Sequence, residues 1–167
     1  MGFQPDQGPY SGGLSDQLGF GSLEGPGLGR WPQGPFPSHN KWEWAKSIID
    51  KNPSKMIHAR LKGSDTVMQA AVTAKCTTFV KNLITYMNEK EMDMDIRNKH
   101  GDTGLSIAAA SGTVEIAKLF MDMEKSHKLT MIRDIYGLIP LGMAVQGGHK
   151  EMARYLWDLT DLKKSSY

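Results

Sequence analysis

The stretch that decides the fold is GDTGLSIAAASGTVEIAKLF, residues 101–120. Its first half is a short apolar run that ends at Gly112, a residue that readily adopts the left-handed conformation after a helix. Thr113 can then cap a second helix, which carries Glu115 in its first turn and apolar residues at helical spacing. The alanines at 108–110 leave room for a neighbouring backbone. The stretch therefore predicts two short, closely packed helices joined by a tight turn.

The same pattern recurs along the chain. At a shift of 36 residues, IRNKHG at 96–101 matches IRDIYG at 132–137 without a gap. A weaker copy lies upstream, where the first half matches at a shift of 38 and the second half, FVKNL at 79–83, at a shift of 37. We therefore expect three copies of one helix-turn-helix unit, with one extra residue in the turn at 74–78 of the first copy. Gly101, Leu105, Ala108, Gly112 and Glu115 of the second copy match Gly137, Leu141, Ala144, Gly148 and Glu151 of the third.

The first 39 residues differ from the rest, since they hold 10 Gly and 6 Pro and show no apolar period. Such a stretch cannot bury enough apolar surface to offset its ordering entropy, so we expect residues 1–39 to be a disordered tail. Residues 40–167 are expected to fold as one repeat domain. It begins with an opening helix within 40–62, which Asn40 is expected to cap and Pro53 to end. The repeats are expected near 61–96, 98–131 and 134–160.

Composition argues against several classes of function. The net charge is +2, too small to attract nucleic acid or an anionic membrane strongly. No apolar run approaches the roughly 20 residues that span a bilayer, and the N-terminus lacks the pattern of a secretory signal. Cys76 is the one cysteine, so no internal disulfide can form and a reducing compartment is expected. The five histidines have no partners at metal-ligand spacing. We therefore expect a cytoplasmic protein that is no enzyme and holds no metal or cofactor.

The deciding stretch resembles the ankyrin repeat signature, in which Gly-x-Thr-Pro-Leu-His-x-Ala-Ala opens the first helix and Gly-His opens the second. The resemblance covers residues 63–160 and implies an all-α solenoid of helix-turn-helix repeats with β-hairpin tips. It also implies binding to other proteins, and the small net charge gives no reason to expect nucleic acid among the partners. The signature Thr survives only as Thr103 and the signature His is replaced in all three copies, so weaker stacking is expected. His149 occupies the second-helix His position and is expected to cap that helix. The residues assigned to the replaced His are Met68, Ser106 and Gly142.

A closer resemblance is to the plant ankyrin proteins that carry a C-terminal transmembrane region. WEWAKSIIDKNP at 42–53 is similar to the helix that often precedes their first repeat, and the spacing of 36 residues also suits that group. No transmembrane segment lies in this chain, which departs from the group's pattern. The resemblance implies a cytosolic scaffold or signalling adaptor, attached to the cytosolic face of a membrane in a longer form. The alternative is a cytosolic regulatory fragment of a membrane-embedded transport or stress-sensing protein.

Binding is expected at the hairpin tips and on the exposed face of each first helix, the concave surface of such arrays. Tyr136 beside Ile135 is the expected anchor, because an aromatic next to an aliphatic side chain suits an interface; the alternative is packing on the neighbouring hairpin. Arg97 and Arg133 recur just before each tip, either for binding or for a hydrogen bond inside the fold. Trp157 and its neighbours are expected to expose an apolar surface beyond the third repeat. The candidate protein-binding residues are Lys99, His100, Asp102, Ile135, Tyr136, Leu138 and Gln146, with Thr73 and Ser111 as further helix-face positions.

Overall fold

Helices dominate the computed structural model, which describes residues 23–24, 41–61, 65–123 and 126–160. The predicted all-α repeat solenoid is confirmed, because three helix pairs stack so that each first helix packs on the next first helix and each second helix on the next second helix. We number the pairs as repeat one (α3 and α4), repeat two (α5 and α6) and repeat three (α7 and α8). In chain order the elements are β1 (Leu23–Glu24), α1 (Lys41–Ile49), α2 (Pro53–His58), β2 (Arg60–Leu61), α3 (Val67–Thr73), α4 (Thr77–Glu89), α5 (Gly104–Ala110), α6 (Val114–Met121), the 3₁₀ helix η1 (Ser126–Met131), α7 (Pro140–Gln146) and α8 (Lys150–Leu159).

The turn between the two helices is three residues long in every repeat. Its middle residue is left-handed each time: Lys75 has φ 55°, Gly112 has φ 69° and Gly148 has φ 72°. The extra residue expected at 74–78 is therefore not there, and that prediction is wrong. Lys75 stands where the other two repeats have glycine, so the sequence carried no glycine by which to place the turn.

Repeat one matches repeat two at a single shift of 37 residues. Thr66 is the residue before α3 and Thr103 is the residue before α5, and both have extended backbone with ψ near 170°. The alignment on Gly63 placed the first helix one residue out of register. A second copy of the signature Thr, Thr66, was missed for that reason, and the signature His position of repeat one falls on Gln69 rather than Met68.

The opening segment forms two helices instead of one. α1 ends at Ile49, and Pro53 begins α2 rather than ending α1. Proline fits a first helical turn because its missing N–H has no helical partner there. The side chain of Asn52 caps α2 by accepting a hydrogen bond from the Lys55 N–H at 3.3 Å. Asn40, the expected cap of α1, lies outside the described residues.

Aromatic contacts fix α1 against repeat one. The Trp42 ring meets the rings of Phe79 and Tyr86 edge to face, with centroids 5.7 and 6.0 Å away. The Tyr86 hydroxyl donates a hydrogen bond to the Asp50 carboxylate at 2.8 Å. Burial, together with that carboxylate, raises the pKa of Tyr86 to about 12. Helix α1 therefore covers the outer side of repeat one, as the opening helix was expected to do.

Two residues of the N-terminal tail pair with the fold. β1 runs antiparallel to β2, with Leu23 opposite Leu61 and Glu24 opposite Arg60. The rest of the tail at 1–39 lies outside the described residues, so its disorder stays a prediction.

One apolar cluster runs through the described residues from Ala45 on α1 to Leu156 on α8. Leu156 was expected to face outward with Trp157 beyond the third repeat, but it is fully buried. Trp157, the next residue on the helix, is 63% exposed, as expected. Adjacent residues on a helix point about 100° apart, so the pair divides between the core and the surface.

Candidate functional site

The turn of hairpin two (97–102) is held by Asn98. The Asn98 N–H donates to the Asp102 carbonyl at 3.0 Å. Its side-chain oxygen accepts from the N–H groups of His100 and Asp102, at 2.8 and 2.9 Å. Its side-chain NH₂ donates to the Asp65 carboxylate at 2.8 Å, which ties this hairpin to repeat one. Because Asn98 shapes the turn, the exposed side chains of Lys99 and His100 are left for contacts outside the fold.

Hairpin three (133–138) repeats this design with Asp134 in place of Asn98. The Asp134 carboxylate accepts from the N–H groups of Tyr136 and Leu138, at 2.9 and 2.8 Å. The Arg133 guanidinium donates to the Gly137 carbonyl at 2.8 Å. Of the two roles left open for Arg133, the structure supports the hydrogen bond inside the fold. Arg97 likewise binds within the chain, to the Asp95 carboxylate at 2.6 Å.

The two hairpins lie side by side. The Ile135 N–H donates to the His100 carbonyl at 3.0 Å, so the tips of both hairpins form one continuous surface. We call the exposed side chains of Lys99, His100, Ile135 and Tyr136 the tip surface. Ile135 is 60% exposed and Tyr136 is 78% exposed, which argues against the alternative that Tyr136 packs on the neighbouring hairpin.

The other three candidate residues lie apart from the tip surface. Asp102 and Leu138 are half-buried at the base of their hairpins. Burial raises the pKa of the Asp102 carboxyl, which also accepts a hydrogen bond from the Asn98 side chain at 3.2 Å. Gln146 is exposed at the far end of α7, about 10 Å from the first residue of that helix. The structure therefore brings four of the seven candidate residues together at the tips.

The exposed helix face runs through Thr73, Ala110 and Gln146, which occupy one repeat position. Ser111 was expected there instead, but its hydroxyl bonds the Ala108 carbonyl at 3.2 Å and the Thr113 hydroxyl at 3.0 Å. Ala110 was missed, although the 36-residue shift from Gln146 points directly to it.

Gln69 joins repeat one to hairpin two. Its side chain is fully buried, and its NH₂ donates to the Ile96 carbonyl at 2.7 Å and the Asp102 carbonyl at 3.2 Å. Its side-chain oxygen accepts from the N–H and the hydroxyl of Thr66. Gln69 thus supplies, at the signature His position, the helix-to-hairpin bonds whose loss was expected to weaken the stacking.

His149 joins repeat three to repeat two. It is the N-cap residue of α8, as expected, but its side chain makes no capping hydrogen bond to that helix. Its Nε2 instead lies 2.9 Å from the carbonyl of Ala110, the last residue of α5. The ring lies across the turn of the preceding repeat because glycine at 112 leaves space for it.

His, Cys, Asp and Glu side chains are scattered through the described residues. Within them, no three His, Cys, Asp or Glu side chains come close enough together to hold a metal ion. The Cys76 thiol lies before α4 and donates to the Ala74 carbonyl at 3.7 Å. In the same part of the chain, no helix combines the length and the apolar character needed to cross a membrane.

Comparison with known proteins agrees with this architecture. A family model described as Ankyrin repeats (3 copies) matches residues 67–165, more than half of the chain. Liver-isoform mitochondrial glutaminase from Mus musculus is 36% identical over 70 residues, which are 42% of this chain but only 11% of that protein. A chain in the crystal structure of the yeast ribosomal protein Rps3 with its chaperone Yar1 superposes with a TM-score of 0.60 and 21% identity. The superposition covers 70% of this chain and 83% of that one.

Proposed function

Because the chain belongs to the ankyrin-repeat family, we propose that it is a protein-interaction module, a cytosolic scaffold or signalling adaptor that binds another protein through its tip surface. The main support for the proposal is that Ile135 and Tyr136 are exposed on a turn whose shape is fixed by other side chains. Asp134 and Arg133 fix that turn by hydrogen bonds. A rigid turn loses little entropy on binding, so an apolar pair presented by it is a favourable anchor.

Lys99 and His100 form the polar flank of the proposed site. They are exposed on hairpin two, next to the apolar pair of hairpin three. An apolar centre with a polar rim is the usual arrangement of a protein interface. We include Gln146 and the helix face as the outer part of the same concave surface, and Asp102 and Leu138 as its supporting base.

The similar proteins support binding rather than catalysis for this chain. The yeast structure is that of a ribosomal protein in complex with its chaperone, which is an interaction between proteins. The glutaminase is an enzyme by name, but the match spans only 11% of its length. We therefore propose no glutaminase activity, and no activity of any other kind, for this chain.

The finer part of the proposal concerns the biological setting. Helix α1 corresponds to the segment that resembles the opening helix of the plant ankyrin proteins with a membrane region, and this supports a place in that group. The second candidate function, the regulatory part of a membrane-embedded transport or stress-sensing protein, rests on the same helix. Sequencing of the full transcript tests it: a block of several apolar segments in the same reading frame favours the membrane protein.

The test of the proposed site begins with affinity capture on the whole chain, followed by identification of the bound protein by mass spectrometry. Tyr136→Ala should then weaken binding of that partner at least fivefold, about 1 kcal/mol. The melting temperature of the Tyr136→Ala variant should equal that of the wild type, because the Tyr136 side chain is 78% exposed.

Two control variants separate binding from folding. Leu141→Ala removes a buried side chain of the same repeat, so it should destabilise the fold by about 2–5 kcal/mol. Trp157→Ala removes an exposed aromatic residue away from the tips and should leave partner binding unchanged. If Tyr136→Ala lowers stability as Leu141→Ala does, or binds the partner as tightly as the wild type, the tip surface is not the site.

A further inference from the structure

The hairpins of the array stack in one order, starting from hairpin one (60–66). The Asn98 side chain of hairpin two donates to the Asp65 carboxylate of hairpin one at 2.8 Å. The Ile135 N–H of hairpin three donates in the same way to the His100 carbonyl of hairpin two at 3.0 Å. Each hairpin therefore meets the later half of the hairpin before it. The first two residues of hairpin one, the strand β2, are preceded by no hairpin among the described residues, and we call them the outer edge.

The outer edge presents backbone groups that suit another strand. The Leu61 N–H donates inward, to the Asp65 carbonyl at 2.7 Å. Backbone groups of successive strand residues face opposite sides, so the N–H and C=O of Arg60 face outward. The tail strand β1 lies on that side and runs antiparallel, with Glu24 opposite Arg60. The outer edge therefore already accepts an extended segment, which is the recognition mode called strand addition.

Positive charge is concentrated beside the outer edge. From residue 51 to residue 62 the chain carries four Lys or Arg residues and one His, with no Asp or Glu. From residue 63 onward, basic and acidic residues balance at 13 Lys and Arg against 13 Asp and Glu. Lys51, Lys55, His58 and Arg60 are all exposed, and within the described part of the chain no ion pair engages them. An acidic segment is therefore the complementary ligand for this edge.

The composition and register of the tail agree with this chemistry. Residues 1–39 hold three acidic residues and one Arg, and one of the three, Glu24, is the residue opposite Arg60. Opposite charges at facing positions stabilise an antiparallel pair. The strands β1 and β2 have two residues each, and so short a pair is at best marginally stable by itself. The tail therefore shows what the edge binds, and a segment with more acidic residues can displace it.

We propose that the outer edge is a second binding site, at which an extended acidic segment of a partner protein adds as a strand, and that β1 occupies the site until the partner displaces it. This site lies on hairpin one rather than on the tip surface, so it goes beyond the function proposed above. The N–H and C=O of Arg60 pair with another polypeptide backbone. The edge therefore favours an acidic protein segment over nucleic acid, whose backbone has no N–H to donate. Occupation by β1 also keeps the edge from pairing with unrelated strands, a hazard of open edges.

The probe is a synthetic peptide of residues 19–28, GFGSLEGPGL, added to the isotope-labelled full chain and followed by the NMR signals of the Arg60 and Leu61 amides. Glu24→Pro opens the edge, because proline has no N–H to give to Arg60 and is poorly tolerated in a paired strand. The tail can stay bound only if its intrinsic Kd lies below the effective concentration of a tethered segment, about 1 mM, so this variant should bind the peptide with a Kd below that value. The wild type should bind it at least about fivefold more weakly, because its own tail occupies the edge.

Two controls test the charge and the place of binding. The same peptide with Glu24→Lys should bind the Glu24→Pro variant at least about threefold more weakly, because like charges then meet at Arg60. The double variant Glu24→Pro with Tyr136→Ala should bind the unaltered peptide as Glu24→Pro does, which separates this site from the tip surface. Circular dichroism checks that Glu24→Pro keeps its helices.

Three results would overturn the proposal. The first is equal affinity of the wild type and Glu24→Pro for the peptide, or no shift of the Arg60 and Leu61 amides at millimolar peptide. The second is a Glu24→Lys peptide that binds as tightly as the unaltered one, since the edge then has no preference for an acidic segment. The third is an oligothymidylate that shifts the Arg60 amide of Glu24→Pro more strongly than the peptide does at the same concentration, which would assign the edge to nucleic acid.

Discussion

The replacement of Gln69 by alanine should lower the stability of the whole array. Gln69 is fully buried and makes the bonds by which repeat one holds hairpin two. Alanine at this position removes the two donors to the Ile96 and Asp102 carbonyls. It also removes the acceptor of the Thr66 N–H at 3.0 Å. The Ile96 carbonyl and the Thr66 N–H then lose this partner, whereas the Asp102 carbonyl still accepts from the Asn98 N–H at 3.0 Å.

The expected loss of stability follows from the three hydrogen bonds that Gln69 makes with Ile96, Asp102 and the Thr66 N–H. Each contributes about 0.5–1.5 kcal/mol net, and a buried group left without a partner costs about 1–3 kcal/mol. The 3.2 Å bond to Asp102 contributes least, since it is the longest of the three and its half-buried acceptor keeps a bond from the Asn98 N–H. We therefore expect Gln69→Ala to reduce the free energy of unfolding by about 2–4 kcal/mol, a large part of the 5–15 kcal/mol of an ordinary domain.

Urea unfolding followed by circular dichroism measures this loss as a shift in the midpoint at constant slope. Gln146→Ala is the matched control, because it removes the same side chain from an exposed helix end and should cost less than about 0.5 kcal/mol. Gln69→Glu keeps the shape of the side chain but replaces both donors by an acceptor that faces two carbonyls. It should cost at least as much as alanine, which separates the lost bonds from a cavity effect.

Hydrogen exchange shows which part of the fold loses stability in Gln69→Ala. The amides of hairpin two, 97–102, should lose more protection in Gln69→Ala than the amides of hairpin three. A midpoint shift for Gln69→Ala no larger than that for Gln146→Ala would contradict the role given to Gln69. Wild-type stability of Gln69→Glu would contradict it equally.

Two further predictions use matched residues and pH. Gly148→Ala should lower the free energy of unfolding by about 1–2 kcal/mol, because the backbone at this position is left-handed. It should cost no more than that, since an added Cβ meets nothing within 4 Å. Gly112→Ala should cost more in the same unfolding assay, because its Cβ would lie 2.5 Å from the Nδ1 atom of His149; equal losses for the two variants would contradict the role given to His149. The pKa of Tyr86 is about 12 in the folded protein, against an ordinary value of 10. As the pH rises, the unfolded chain therefore loses this proton first. The free energy of unfolding should keep its full value below pH 10 and decline from pH 10 to 12. Tyr86→Phe should lose about 0.5–1.5 kcal/mol at neutral pH and show a smaller alkaline decline in urea unfolding at pH 7, 10 and 11; an unchanged decline would contradict the assignment.

The number of repeats and the type of their helices could be predicted from the sequence, because both depend on local spacing. Apolar residues at helical intervals and the left-handed glycines at 112 and 148 fix the two helices of repeats two and three. Repeat one was placed out of register for a local reason as well. Lys75 rather than glycine occupies the left-handed turn position of this repeat. The repeat was therefore aligned on Gly63, which set its first helix one residue out of register.

The bonds between repeats could not be predicted in this way. Gln69 and His149 reach acceptors 27 to 39 residues away, and those acceptors are backbone carbonyls that leave no mark in the sequence. The tip residues Ile135 and Tyr136 were found because hairpin tips recur with the repeat. Asp102 and Leu138 were included for the same reason, although they are half-buried, because spacing alone does not distinguish the tip of a hairpin from its base.

Gln69 and His149 form two joints with repeat two, which are the hydrogen bonds from their side chains to its backbone. These joints have a consequence for the replacement of the middle repeat by another one. Both side chains belong to the outer repeats, and to these two joints the middle unit contributes only main-chain oxygens: those of Ile96, Asp102 and Ala110. Main-chain oxygens are common to every sequence that adopts the same backbone. A middle unit that keeps its turn residues but carries different surface side chains can therefore be inserted between the same neighbours without redesign of either joint. The chain thus separates the part that can be varied for new recognition from the parts that keep the array assembled.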